Sequence, residues 1–280
     1  MSDQNPLHLS VEDHVAHLVL DRPDKRNAMN KEFWQQLPKL VTDLDRQGVA
    51  RVLVVSANGK SFTAGMDLAM FGSSGSAGAE LEIGRQREQL RQLVLDLQDC
   101  FNVFEKIRMP VLGAIHGGCV GGGVDMVSAM DCRYCTEDAY FTIAETQLGM
   151  TADLGTLQRL PKLIPSGLMR ELAYTGRKIH APEALRCGLV NQVFADQESM
   201  MAHVMSIARS IAENSPLAVQ GSKEMINYAR DHSVADSLHY MAAWQSGMFQ
   251  APDLMQSIAA RAQKKVAEYQ DLPARKEVFD

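Results

Sequence analysis

The chain has 280 residues, close to the roughly 250–300 at which a single core stops growing, so one large domain with a separate C-terminal helical layer fits its length. With 46% hydrophobic and 22% charged residues, its composition is that of a folded globular protein and excludes a disordered chain. The net charge of −6 excludes a broad basic face for nucleic acid, and no apolar run reaches the roughly 18 residues of a membrane-spanning helix.

In chain order, HLSVEDHVAHLVLDR alternates apolar and polar positions around Glu12-Asp13, which predicts a two-stranded hairpin turning there. Asn30 can cap a helix over KEFWQQLPKLVTDLDRQ with Gly48 just beyond it, and Pro38 predicts a kink or a late start. RVLVVSA is a continuous β-branched run and predicts a buried strand, followed by a loop over NGKSFTAGMDL. Residues 72–79, GSSGSAGA, read as a small, flexible segment before a long helical pattern from Glu80 to about Arg108, ahead of Pro110.

The most informative segment is HGGCVGGGVD, residues 116–125, with five glycines closed by an acid. It follows the apolar stretch Val111 to Ile115 and precedes the helix-like VDMVSAMD. Glycine tolerates positive φ and close backbone approach, and the amides before a helix N-terminus favour an anion or a developing oxyanion. The run lacks the Gly-Lys-Ser/Thr ending of a phosphate loop and the glycine spacing of a dinucleotide fold, which leaves no nucleotide reading.

Short strands are predicted at CRYCTE and AYFTIAE. From LGTLQRLPKLI onward the pattern is helical, through MRELAYTG, APEALRCG, QESMMAHVMSIARSIAENS and PLAVQGSKEMINYARD to one long final stretch after Ser233. The sixteen methionines, several on these helices, are expected to serve as adaptable core filling rather than a binding surface. Cys132 and Cys135, three apart on a strand, face opposite sides and pack rather than bind metal. The five cysteines, odd in number and scattered, fit reduced thiols. MSDQNPLHLS lacks the regions of a secretory signal and VFD is not a peroxisomal address, so the expected compartment is the cytoplasm.

DRPDKRNAMN, SFTAGMDL, HGGCVGGGVDMVSAMDCRYC, LGTLQRLP, TGRKIHAPEALRCGLVNQVF and SPLAVQGSK, in this order across roughly residues 10–265, resemble the successive signatures of the crotonase (enoyl-CoA hydratase/isomerase) superfamily. The resemblance implies an α/β fold, a spiral of ββα units over residues 1–205 with a helical trimerisation region over 206–280. It implies an acyl-CoA thioester as substrate, no metal or redox cofactor, and trimers or dimers of trimers. The implied oxyanion hole is the backbone N–H of Met66 and of Gly122. Lys25, Arg26 and Ala64 are the implied contacts to CoA.

The carboxylates narrow the reaction. Related hydratases carry glutamates at the positions of Asp125 and Glu145, whereas this chain has the shorter Asp125 and adds Asp153 where a small residue, usually glycine, is found. The arrangement Asp125, Glu145, Asp153 resembles the branch that isomerises 3,5-dienoyl-CoA to 2,4-dienoyl-CoA in fatty-acid β-oxidation. In that scheme Glu145 works at the α carbon, Asp153 at the remote carbon, and Asp125 keeps the site polarised. Three acids in an apolar pocket should raise at least one pKa. Enoyl-CoA hydratase is the alternative, and a non-catalytic scaffold comes third because all three acids are present. His116 reads as a structural hydrogen-bonding residue, and the histidines show no metal-binding spacing.

Overall fold

The computed structural model describes residues 5–70, 81–249 and 251–276; the segment 72–79 lies outside them. A six-stranded sheet carries β1 (Leu7–Glu12), β2 (Val15–Leu20), β3 (Val52–Ala57), β4 (Val111–Ile115), β6 (Cys132–Thr136) and β9 (Gln192–Phe194) in the order β1-β2-β3-β4-β6-β9. Only β1 and β2 are antiparallel there. A smaller sheet holds β5 (Gly118–Val120), β7 (Tyr140–Thr142) and β8 (Ile179–His180). Successive turns of chain thus lay one strand in each sheet, β4 with β5 and β6 with β7, and this is the spiral of ββα units that the resemblance implies.

The centre of the large sheet, β3 and β4, is buried on both faces, which is why β3 reads as an unbroken apolar run. Leu53 and Val55 face the main core with Phe101, Phe104 and Ile115, while Val52 and Val54 face Leu112, Ala114 and Tyr134. Helix α7 (Gln197–Ala212) covers the second face with Met200, Val204, Ala208 and Ala212. The expected division after residue 205 falls inside this helix, whose buried side chains lie on both sides of it. Cys135 joins the main core and Cys132 packs against the other, on opposite faces of β6.

The hairpin turns one residue later than expected, with Asp13 and His14 both at positive φ. Helix α1 (Lys31–Gln47) begins where Asn30 Oδ1 accepts from the Phe33 amide at 3.1 Å and ends at Gly48, φ +72°. Pro38 neither delays nor ends it. The Trp34 carbonyl, which residue 38 would bond were it not proline, accepts instead from Cys100 Sγ at 3.3 Å. Helix α2 (Ile83–Lys106) starts three residues later than its pattern, where the Glu82 carboxylate takes the Gly84 amide at 2.8 Å. The glycine run is more than a turn, since it contains β5 before opening α3 (Gly122–Ser128).

Short helices α4 (Thr156–Arg159), α5 (Ser166–Thr175) and α6 (Ala181–Arg186) follow, and α8 (Pro216–Asp231) begins the C-terminal layer. Lys223 of α8 is buried, its Nζ donating to the carbonyls of Phe104 and Met109 at 2.6 and 2.8 Å and pairing with Asp131 at 3.0 Å. The last stretch forms two helices rather than one, α9 (Val234–Met248) and α10 (Ala251–Ala262). Phe249 is extended, and Pro252 suits a helical first turn but cannot continue a helix from behind. Among the described residues no helix is long and apolar enough to cross a membrane.

Candidate active site

Two amides meet because two segments run side by side. Phe62 N bonds the His116 carbonyl, Thr63 N the Gly118 carbonyl and Val120 N the Thr63 carbonyl, at 2.8, 3.0 and 3.1 Å. This parallel ladder carries residues 62–66 along residues 116–122. At its end a Cβ built on Gly122 would lie 3.9 Å from the Met66 nitrogen, and one on Gly65 would lie 3.4 Å from the Gly122 nitrogen. Neither amide finds an acceptor among the described residues. Gly65 at φ +83° leaves no room for a side chain, since its Cβ would stand 2.6 Å from the Val120 carbonyl oxygen. The Met66 side chain packs, partly buried, against the core.

The acids converge on the same end. Asp125 lies in the first turn of α3, fully buried, with its Oδ1 accepting from the Thr156 amide at 2.7 Å. Burial pushes its pKa up to about 6 against the pull of Thr156, with the charge of Asp153 adding to the rise. Glu145 opens a short 3-10 turn closed by Gly149. Its Oε2 is buried without a hydrogen-bond partner among the described residues. Burial, then the charge of Asp125, then that of Asp153 raise its pKa to about 7. Asp153 is the outermost of the three, and burial raises its carboxyl too. The charge repulsion expected from sequence thus acts on Asp125 and Glu145, with desolvation the larger cause, while at Asp153 burial is what raises the carboxyl.

A cavity of about 470 Å³ adjoins this point, and Lys25, Arg26, Ala64 and Met66 all line it. The Ala64 amide donates to the Arg26 carbonyl at 2.8 Å, joining the two segments. Asn27, buried at φ +53°, fixes the loop by donating to the carbonyls of Asn58 and Ser61 at 2.8 and 2.9 Å. Arg22 pairs with Asp67 at 2.8 Å, which locks DRPDKRN to AGMD and holds the Asp67 carboxyl below its usual range. Tyr140 lines the same cavity, with Lys178 Nζ 3.9 Å from its ring centre. His116 Nε2 donates to the Gly59 carbonyl at 2.9 Å, the structural role expected of it. A larger cavity of about 560 Å³ lies among α8, α9 and α10, with Trp244 and Phe249 in its wall, away from the acids.

Sequence reasoning missed Thr156, which holds Asp125, and the close approach of Gly121 to Glu145. The glycine was visible in the motif, but the partner depends on how β7 leads into the 3-10 turn.

The sequence profile described as enoyl-CoA hydratase/isomerase matches residues 10–272. The mitochondrial delta(3,5)-delta(2,4)-dienoyl-CoA isomerase of Homo sapiens is 46% identical over 257 residues, covering 91% of this chain and 78% of the relative. The peroxisomal protein of that name from Arabidopsis thaliana is 39% identical, covering 91% and 92%. Among solved structures, an enoyl-CoA hydratase from Bacillus anthracis superposes with a TM-score of 0.85 at 28% identity, covering 98% of this chain and 100% of that one. The expected cytoplasmic location is corrected by these relatives, which are named mitochondrial or peroxisomal. That expectation rested on the lack of a secretory signal and of a C-terminal peroxisomal address, and neither feature speaks to a mitochondrial destination.

Proposed function

The chain belongs to the enoyl-CoA hydratase/isomerase family, and on that premise we propose that it is a dienoyl-CoA isomerase, shifting the double bonds of a 3,5-dienoyl-CoA to the 2,4 positions. The observation that carries this reading is the clustering of Asp125, Glu145 and Asp153, close enough for charge to raise the first two, beside two amides without acceptors.

Glu145 takes the proton from C2 of the bound thioester. The electrons move to the thioester oxygen, which the Met66 and Gly122 amides stabilise as an enolate. Asp153 delivers a proton to C6, the C2=C3 and C4=C5 bonds form, and the enolate collapses. One C–H bond breaks and one forms, so the balance requires no metal, redox cofactor or water. Asp125 remains bound to the Thr156 amide and keeps Glu145 a strong enough base through its charge. A Glu145 pKa near neutrality suits proton exchange in both directions.

Lys25, Arg26 and Ala64 hold the CoA portion in the adjoining cavity. The protein assembles as trimers or dimers of trimers through the C-terminal layer, where Val234, Leu238, Met255 and Ile258 are all more than half exposed in the single chain. The direct test supplies purified protein with 3,5-dienoyl-CoA and 2-enoyl-CoA side by side. Isomerisation of the first with little hydration of the second is expected, and the reverse would make the protein a hydratase.

A further inference from the structure

Asp153 lies on a segment without regular structure, between the 3-10 turn ending at Leu148 and α4. One face of α2 holds that segment. Gln98, Asn102 and Glu105 are spaced four and three residues apart and project from the same side of the helix. Gln98 Nε2 donates to the Asp153 carbonyl at 2.7 Å. Arg159 Nη1 donates to the Leu154 carbonyl at 3.3 Å. The rest of its guanidinium is fixed from α2, with Nε and Nη2 on Glu105 Oε2 at 3.1 and 2.8 Å and Nη2 on Asn102 Oδ1.

Gly155 makes this possible. At φ +128° it leaves the space the guanidinium fills, and a Cβ there would stand 1.7 Å from Arg159 Nη1. Two consecutive carbonyls are therefore gripped from outside while the Thr156 amide is gripped from inside by Asp125. Glu105 also accepts from Arg230 of α8, so the C-terminal layer braces the same helix face.

We propose that Gln98 and Arg159 are positioning residues for Asp153, fixing the peptide units around it so that its carboxyl meets the remote carbon of the dienoyl chain. The inference rests on the assignment of Asp153 as the remote proton donor. A charged side chain on an irregular, outlying segment needs such a restraint, because a displacement of about 1 Å from reacting geometry can cost on the order of 10²-fold in rate.

Gln98→Leu removes one grip at a half-exposed position and Arg159→Met removes the other. The measurements are isomerisation of 3,5-dienoyl-CoA and exchange of its α proton with deuterated solvent. For each variant we expect kcat for isomerisation to fall about 10- to 100-fold, with KM and α-proton exchange within about twofold of the parent, since neither residue holds Glu145. In an Asp153→Asn background, Gln98→Leu should cause no further loss of the residual isomerisation. Parallel loss of exchange and isomerisation, or an additive loss in that background, overturns the positioning role. Should Arg159→Met fail to fold, Gln98→Leu decides alone. Full isomerisation by Asp153→Asn itself would remove the donor assignment and the inference with it. Loss in Asp153→Asn together with normal isomerisation in Gln98→Leu would refute only the positioning.

Discussion

Gly121 leaves the space that Glu145 takes: a Cβ on Gly121 would stand 3.1 Å from Glu145 Oε1. Gly121 is also held at φ +54° and ψ −120°, with its amide donating to the Thr142 carbonyl at 2.8 Å. The glycine turn therefore shapes one wall of the base as well as offering amides to the thioester.

Gly121→Ala should strain the backbone by about 1–3 kcal/mol and push the Glu145 carboxylate aside. Both α-proton exchange and isomerisation should fall at least about 10-fold, together with a lower melting temperature. Exchange at the parent rate would show that Glu145 is not the α-carbon base.

Gly122 is a different case, because a Cβ there meets nothing closer than Met29 Sδ at 3.4 Å. Gly122→Val should fold and assemble. Its branched side chain would cover the Met66 amide, and loss of an oxyanion donor costs roughly 10²–10³ in kcat. Near-normal turnover in a soluble variant would exclude this backbone as the oxyanion site.

The two proton-transferring acids should fail differently. Asp153→Asn, with Glu145 intact, should go on exchanging the α proton of bound 3,5-dienoyl-CoA with deuterated solvent while yielding little isomerised product. Glu145→Gln should lose both, each loss being on the order of 10²–10⁴. Mass spectrometry of recovered substrate and product separates the outcomes, and full isomerisation by Asp153→Asn would rule out the three-acid scheme.

The raised acids make stability depend on pH. Glu145 has an ordinary value of 4.5 and titrates near 7 in the folded chain. Between those values the folded state binds the proton more tightly than the unfolded state, so stability falls as pH rises through that window and the penalty is complete above about 7. Glu145→Gln should therefore stabilise the fold at pH 8 by up to about 3 kcal/mol, raising the melting temperature there and leaving it nearly unchanged at pH 4. Calorimetry at both values checks the sign, and an equal effect at the two would place the origin elsewhere.

The exposed apolar side chains of α9 and α10 should be covered in solution. Light scattering at micromolar concentration is expected to give the mass of three or six copies. A monomer would leave Val234 at 77% exposure and Met255 at 62% without a partner.

Much of this was legible in the residues. The β3 run, the Asn30 and Gly48 caps and the glycine segment each carry a local physical signature, and all three stand where the sequence puts them. Asp125, Glu145 and Asp153 became a set through family resemblance, because their proximity depends on β7 and α4 being brought to α3 by the spiral. What remained hidden was tertiary. Pro38 is accommodated by a cysteine on another helix, and the Gly121 wall and the grip of Gln98 and Arg159 on residues 153–154 leave no periodic or compositional trace.

The winding of the chain also governs how it can fold. Leu53 pairs with Val111 and Tyr134 with Gln192, so β1 and β2 form the one tight hairpin of the large sheet, and several of its parallel contacts must wait for distant chain to arrive. Proteins with such non-local pairing fold slowly, and here the oxyanion ladder itself joins residues 62–66 to residues 116–122. A nascent chain must carry α2 and β4 before that ladder exists, so chaperone dependence should be greatest while residues 67–122 are being synthesised.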